Sequence, residues 1–331
     1  MYHLWHRLKY LLLLGARHLI IDERMVRVSM NLPKSVIIKE VGPRDGLQNE
    51  KQFIKTEDKI EWINMLSETG LSYIEITSFV NPKWIPQLAD AIQVAKSVKR
   101  KQNITYAALV PNERGLEGAL EANIDEVAVF MSASESHNQQ NINKSIMETY
   151  PVLTPVIQGA LAAGKTVRGY VSTVFGCPYE GEVTIDAVLS VSEQLFSLGI
   201  DELSLGDTIG VANPKQVEEV LTEVLKRYPS EKIAMHFHNT RGTALANILV
   251  ALNLGITKFD SALGGLGGCP YAPGASGNLA TDDLHYMLDK MGIETGIDQK
   301  QLIKAACFIE GKIGKLLPSH TMQAERSRNC Y

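Results

Sequence analysis

The chain has 331 residues, 45% of them hydrophobic and 21% charged, with a formal net charge of −4. That composition supports a large globular core, and its mild acidity excludes the clustered cationic surface that nucleic-acid binding needs. Cys177, Cys269, Cys307 and Cys330 are far apart and form no CxxC pair, so spacing indicates neither a zinc site nor a disulfide framework, and a reducing compartment is expected.

Residues 1–30 are basic at first, then carry the run Leu11 to Leu14, which is too short and interrupted to span a bilayer. No small-residue cleavage site follows it, so this stretch reads as an extension outside the fold, which begins near Met30. Cytoplasmic residence is expected, with the mitochondrial matrix as the alternative if residues 1–30 are a transit peptide. Serine is nearly absent there, which weighs against a transit peptide.

From residue 34, short apolar runs alternate with amphipathic stretches at a spacing of roughly 30 residues, the length of one strand–helix unit. Strands are expected over 35–40, 72–77, 104–110, 126–131, 166–172, 202–205, 233–238 and 258–261, with helices such as 57–69 and 187–197 between them. Eight such units without a low-complexity linker predict one (β/α)8 barrel, an α/β TIM barrel over 34–315 with C-terminal helices and a tail at 316–331. A doubly wound open sheet would need a glycine-rich phosphate turn after its first strand. The proline and arginine of Gly42-Pro-Arg-Asp-Gly46 do not suit such a cradle.

Barrel enzymes build their sites at the C-terminal strand ends, so polar residues there are the candidates. Arg44 and Asp45 follow strand one, Glu75 lies in strand two, Ser204 and Asp207 end strand six, His236 and His238 end strand seven, and Asp260 lies in strand eight. Side chains two apart on a strand share a face, so His236 and His238 can meet one ion. Two imidazoles, a carboxylate and a neutral oxygen suit Mg²⁺ or Mn²⁺, or Zn²⁺, better than Ca²⁺. Each residue also has a plainer role. Asp45-Gly46 and Asp207-Thr208 are turn dipeptides, the histidines could be satisfied polar residues, and Glu75 could be a structural ion-pair partner for Arg44.

The run from Gly264 to Asn278 is a glycine-rich loop whose backbone can approach a ligand closely. Cys269, near its middle, reads as a proton carrier or redox-sensitive thiol, and Cys177 in Gly176-Cys-Pro-Tyr179 is a weaker candidate of the same kind. The alternative is a flexible connector, with Asn278 capping a helix that starts at 279.

At these residues the sequence resembles the hydroxymethylglutaryl-CoA lyases, within the larger family of metal-dependent barrel lyases and acyl-CoA-condensing synthases. Arg44 to Gln48 and His236-x-His238 mark the larger family. Thr77-Ser-Phe-Val-Asn-Pro-Lys-Trp84, Gly176-Cys-Pro-Tyr-Glu-Gly181 and the loop ending in Asn278 mark the lyases. The resemblance implies an acyl-CoA substrate, cleaved to acetoacetate and acetyl-CoA in ketone-body formation or leucine degradation. It implies a homodimer with no nucleic-acid or membrane partner. Asp45, His236, His238 and Asn278 would hold Mg²⁺ or Mn²⁺, with Zn²⁺ as an occupant in crystals. Arg44 would stabilise an enolate with support from Glu75, His236 and Asp45 would also act in catalysis, and Cys269 would be the loop acid/base. Gln48, Tyr170, Ser204 and Asp207 would lie near the substrate. Asn239 stands where many relatives carry Asp. A synthase running the condensation and a catalytically silent barrel are the rival readings; the intact Arg, Asp, His, His, Asn and Cys set weighs against the second.

Overall fold

Each strand runs into a helix that carries the chain back to the starting end, which is what a parallel neighbour requires. The computed structural model describes residues 30–267 and 277–329; the extension at 1–29, Cys269 and Cys330 lie outside them. From Leu32 onward the chain is one compact unit. The strands are β1 (Ile37–Glu40), β2 (Tyr73–Ser78), β3 (Thr105–Leu109), β4 (Glu126–Ser132), β5 (Thr166–Ser172), β6 (Glu202–Asp207), β7 (Ile233–Phe237) and β8 (Lys258–Ser261). They form a closed parallel barrel in chain order, sealed where Ile37, Ile38, Lys39 and Glu40 pair with Lys258, Phe259, Asp260 and Ser261.

The outer helices are α1 (Thr56–Ser67), α2 (Ala91–Ser97), α3 (Glu113–Glu121), α4 (Glu135–Ile142), α5 (Ile146–Ala162), α6 (Ile185–Leu198), α7 (Pro214–Leu225) and α8 (Ala244–Asn253). After β8 come α9 (Thr281–Lys290), α10 (Gln299–Ile313) and α11 (His320–Asn329). Helix α1 buries Trp62, Ile63 and Leu66 on one face, the period-3.6 stripe expected there. Helix α5 starts at a capping box of Ser145 and Glu148, and α6 starts at Thr184 and ends at Gly199, whose φ of 107° favours a residue without Cβ. Strands β2, β6 and β7 are buried along their whole length, covered by helices outside and side chains inside. A register shift between Glu75 and Thr77 marks a bulge in β2 beside the barrel mouth.

The structure departs from expectation at element ends. Strand six continues through Gly206 and Asp207, because these pair with His236 and Phe237. Strand seven stops at Phe237, and His238 instead forms an isolated bridge with Asn278. The stretch expected as a tail carries α11, with Leu317 and Met322 buried. No helix among the described residues is long and apolar enough to cross a membrane.

Candidate active site

Where β1 ends, the chain enters a wide helical turn over Gly42–Gly46, in which the Val41 carbonyl accepts from the N–H groups of Arg44, Asp45 and Gly46 at 3.1, 2.7 and 3.3 Å. This turn sets Arg44 and Asp45 on the wall of a cavity of about 420 Å³ at the barrel mouth. Arg44 Nε donates to Glu75 Oε2 at 2.7 Å, and its Nη1 donates to Asp45 Oδ1. Burial opposes the guanidinium charge, but Glu75 and Asp45 outweigh it and hold Arg44 above its ordinary pKa. Burial would likewise raise Asp45; the charges of Arg44, His236 and His238 with the Asn278 amide prevail and lower it to about 2. Gln48 Nε2 donates to Asp45 Oδ1 at 2.9 Å, so Asp45 is oriented from three sides.

His236 and His238 share a side of the barrel, with ring centroids 5.3 Å apart. Nε2 of His236 lies 4.0 Å from Asp45 Oδ2. One donor atom from each of Asp45, His236 and His238 falls within 4.8 Å of the others. Burial first, then the neighbouring His236 charge, lowers His238 to about 4, so it is neutral near pH 7 and able to act as a ligand. Asn278 Nδ2 donates to Asp45 Oδ2 at 2.8 Å and to the Leu266 carbonyl at 3.1 Å. Gly267 (φ 89°) lets the chain pass there, since a Cβ would sit 2.9 Å from that amide. Asn278 does not cap a helix, because α9 starts at Thr281 with no side-chain cap. The buried atoms Asn278 Oδ1 and His238 Nδ1 have no hydrogen-bond partner. Orphaned polar atoms beside a carboxylate and an imidazole fit a divalent cation with mixed nitrogen and oxygen ligands.

Below the cavity, hydrogen bonds link the remaining candidates. Tyr170 OH donates to Glu75 Oε2 at 3.2 Å and accepts from Arg168 Nη1 at 2.6 Å. Arg168 Nη2 donates to Asp260 Oδ1 at 2.6 Å, and Asp260 Oδ2 lies 3.2 Å from His236 Nδ1. Tyr170, Gln48, His236 and His238 line the cavity, facing Leu109 and Phe130. Ser204 is fully buried and donates to Asp260 Oδ2 at 2.9 Å. The Asp207 carboxylate accepts from the N–H groups of Val211 and Ala212 at 2.9 and 3.0 Å, the turn role open to it from sequence; burial raises it to about 6 against those bonds. Cys177 is buried and its Sγ accepts from Ser134 Oγ at 2.9 Å, while its N–H and C=O close a bridge with Gly181. Arg168 escaped sequence reasoning. Its signal was a charge inside the strand run Thr166-Val-Arg-Gly-Tyr170, on the same face as Tyr170.

A family model described as HMGL-like matches residues 35–309. The chain is 62% identical over 298 residues to the hydroxymethylglutaryl-CoA lyase of Bacillus subtilis, covering 90% of this chain and 100% of that one. It is 48% identical over 293 residues to the human mitochondrial hydroxymethylglutaryl-CoA lyase, covering 88% and 90%. The crystal structure of the B. subtilis lyase superposes with a TM-score of 0.88 over 89% of this chain and 99% of that one. An HMG-CoA lyase from Acinetobacter baumannii in complex with coenzyme A and 3-methylmalate is 41% identical with a TM-score of 0.85, covering 90% and 97%. With the closed barrel and the Arg–Asp–His–His–Asn cluster at its mouth, these matches identify the chain as a member of the HMGL-like family, among the hydroxymethylglutaryl-CoA lyases.

Proposed function

We propose that the protein cleaves 3-hydroxy-3-methylglutaryl-CoA to acetoacetate and acetyl-CoA with a divalent cation, Mg²⁺ or Mn²⁺. The observation that carries this reading is the convergence of Arg44 with Asp45, His236 and His238 on one cavity wall. Asp45, His236, His238 and Asn278 would hold the cation, which when bound would orient the substrate oxygens and ease ionisation of the tertiary alcohol. With one His236 nitrogen turned to the cation and the other to Asp260, the hydroxyl proton would pass to water in the cavity. As that proton leaves, the bond between the carbinol carbon and the carbon next to the thioester breaks, and its electron pair moves to the thioester oxygen. Arg44, kept cationic by Glu75 and Asp45, stabilises that enolate with fixed donors. Protonation of the enolate carbon then releases acetyl-CoA. Cys269, outside the described residues, is the thiol we assign to that proton, as expected from its place in the glycine-rich loop.

The test is a coupled assay for acetoacetate with hydroxymethylglutaryl-CoA as substrate. Acetoacetate and acetyl-CoA should appear in equal amounts, vanish after chelation and return with Mg²⁺. No acetoacetate, or turnover indifferent to chelation, would refute the reading.

A further inference from the structure

We propose that Asp260, braced by Arg168 and Ser204, is a positioning residue that fixes the tautomer of His236 and so presents Nε2 to the cation. The inference rests on the metal-dependent reading above and extends it to residues that touch neither cation nor substrate. His236 and Asp260 are paired neighbours on β7 and β8, which sets their side chains next to each other inside the barrel. Asp260 Oδ2 faces His236 Nδ1 at 3.2 Å and also accepts from Ser204 Oγ at 2.9 Å, while Oδ1 accepts from Arg168 Nη2 at 2.6 Å. Arg168 is fully buried, and its other nitrogens are engaged, Nε with Glu202 at 2.8 Å and Nη1 with Tyr170 at 2.6 Å. A guanidinium so enclosed keeps the Asp260 carboxylate ionised and therefore an acceptor only. A ring with a single proton must then carry it on Nδ1. Its lone pair is left on Nε2, the nitrogen that faces Asp45 at 4.0 Å.

The brace also predicts what an amide would do at this position. In Asp260→Asn the side-chain oxygen must stay opposite Arg168 Nη2, because an amide nitrogen there would face another donor. The NH₂ group therefore falls beside His236 Nδ1 and Ser204, whose hydroxyl can turn to accept from it. Nδ1 becomes the acceptor and the proton moves to Nε2, which can no longer bind a cation. Shape and fold are nearly preserved while the lone pair is lost, the same tautomer logic by which a carboxylate-to-amide change disables a catalytic histidine.

Two measurements on the full chain without substrate decide the matter. Ring ¹⁵N NMR of the metal-free protein should show His236 as the Nδ1–H tautomer in wild type and as Nε2–H in Asp260→Asn. Titration with Mn²⁺ should give a Kd weakened about 10- to 100-fold in the variant, the usual loss for such outer partners. The wild-type spectrum needs no variant, so a poorly folding Asp260→Asn does not spare the proposal. Wild-type His236 protonated on Nε2, or Mn²⁺ affinity unchanged in a folded variant, overturns it while leaving the metal site intact. Wild-type protein that fails to bind Mn²⁺ overturns the metal reading and this proposal with it.

Discussion

Arg44 is 6% exposed and its charge is divided between two carboxylates, through Nε to Glu75 and through Nη1 to Asp45. A planar fork can serve both directions and still face the cavity; an ammonium on a flexible stem cannot. Its worth therefore lies in geometry as much as in charge. Replacing Arg44 with Lys should lower kcat by about a hundredfold or more, the scale for losing an oxyanion donor, with KM and Mn²⁺ affinity nearly unchanged. Steady-state kinetics beside a metal titration would check this; near-normal kcat in the variant would return Arg44 to a structural role.

At the scale of elements, Glu40 ties three of them together. Its Oε1 accepts from the N–H groups of Gly42 at 2.8 Å and Leu263 at 2.9 Å, and its Oε2 accepts from Thr281 at 2.6 Å. One carboxylate thus joins the end of β1, the turn after β8 and the start of α9. Burial raises Glu40 to about 7 from an ordinary 4.5, despite the three donors. The folded state then binds the proton more tightly than the unfolded chain. The associated stability is complete below about pH 4.5 and lost as pH rises through about 7. Glu40→Gln removes the titration while leaving an oxygen for the two N–H groups. The melting temperature of the variant should therefore gain on wild type as pH rises across that window. A difference that stays constant with pH would show that Glu40 is ionised throughout in the folded protein.

Over the whole molecule, the C-terminal stretch closes onto the base of the loop that follows β8. Asp282 accepts from Gly264 N at 2.8 Å and from Ser319 Oγ, Asp283 accepts from Thr321 N at 2.7 Å, and the Ser319 N–H donates to the Gly264 carbonyl at 3.2 Å. Leu317 packs on Gly264 so closely that no Cβ would fit there. The two ends of the chain should therefore behave differently. A chain stopped after Lys315 loses the burial of Leu317 and Met322, about 3–6 kcal/mol by area, and should melt on the order of 5–10 °C lower. A chain started at Met30 should melt with the full chain, since the compact unit begins at Leu32. Calorimetry on both truncations tests the pair: an unchanged melt for the first, or a large drop for the second, would contradict this division.

The barrel was legible in the sequence because strand and helix periods are local: eight apolar runs separated by amphipathic stretches leave few other ways to bury both strand faces. The shared side of His236 and His238 was legible for the same reason, from a period of two. Partners were not legible. Asn278 reaches Asp45 across 233 positions of sequence only because β8 closes on β1 and a bridge brings Asn278 beside His238. Asp207 looks the same in sequence as Asp45, yet its carboxylate is taken up by backbone N–H groups while that of Asp45 faces the histidines. Arg168 and Asp260 stand as isolated charges in apolar strands until barrel closure sets them against each other across the interior and the β7–β8 register sets Asp260 beside His236. The sequence by itself determined which residues lie on strands and which sides they share. Barrel closure and strand register alone decided which of those charges meet, because contacts between distant strands follow from how the whole sheet closes rather than from any local pattern.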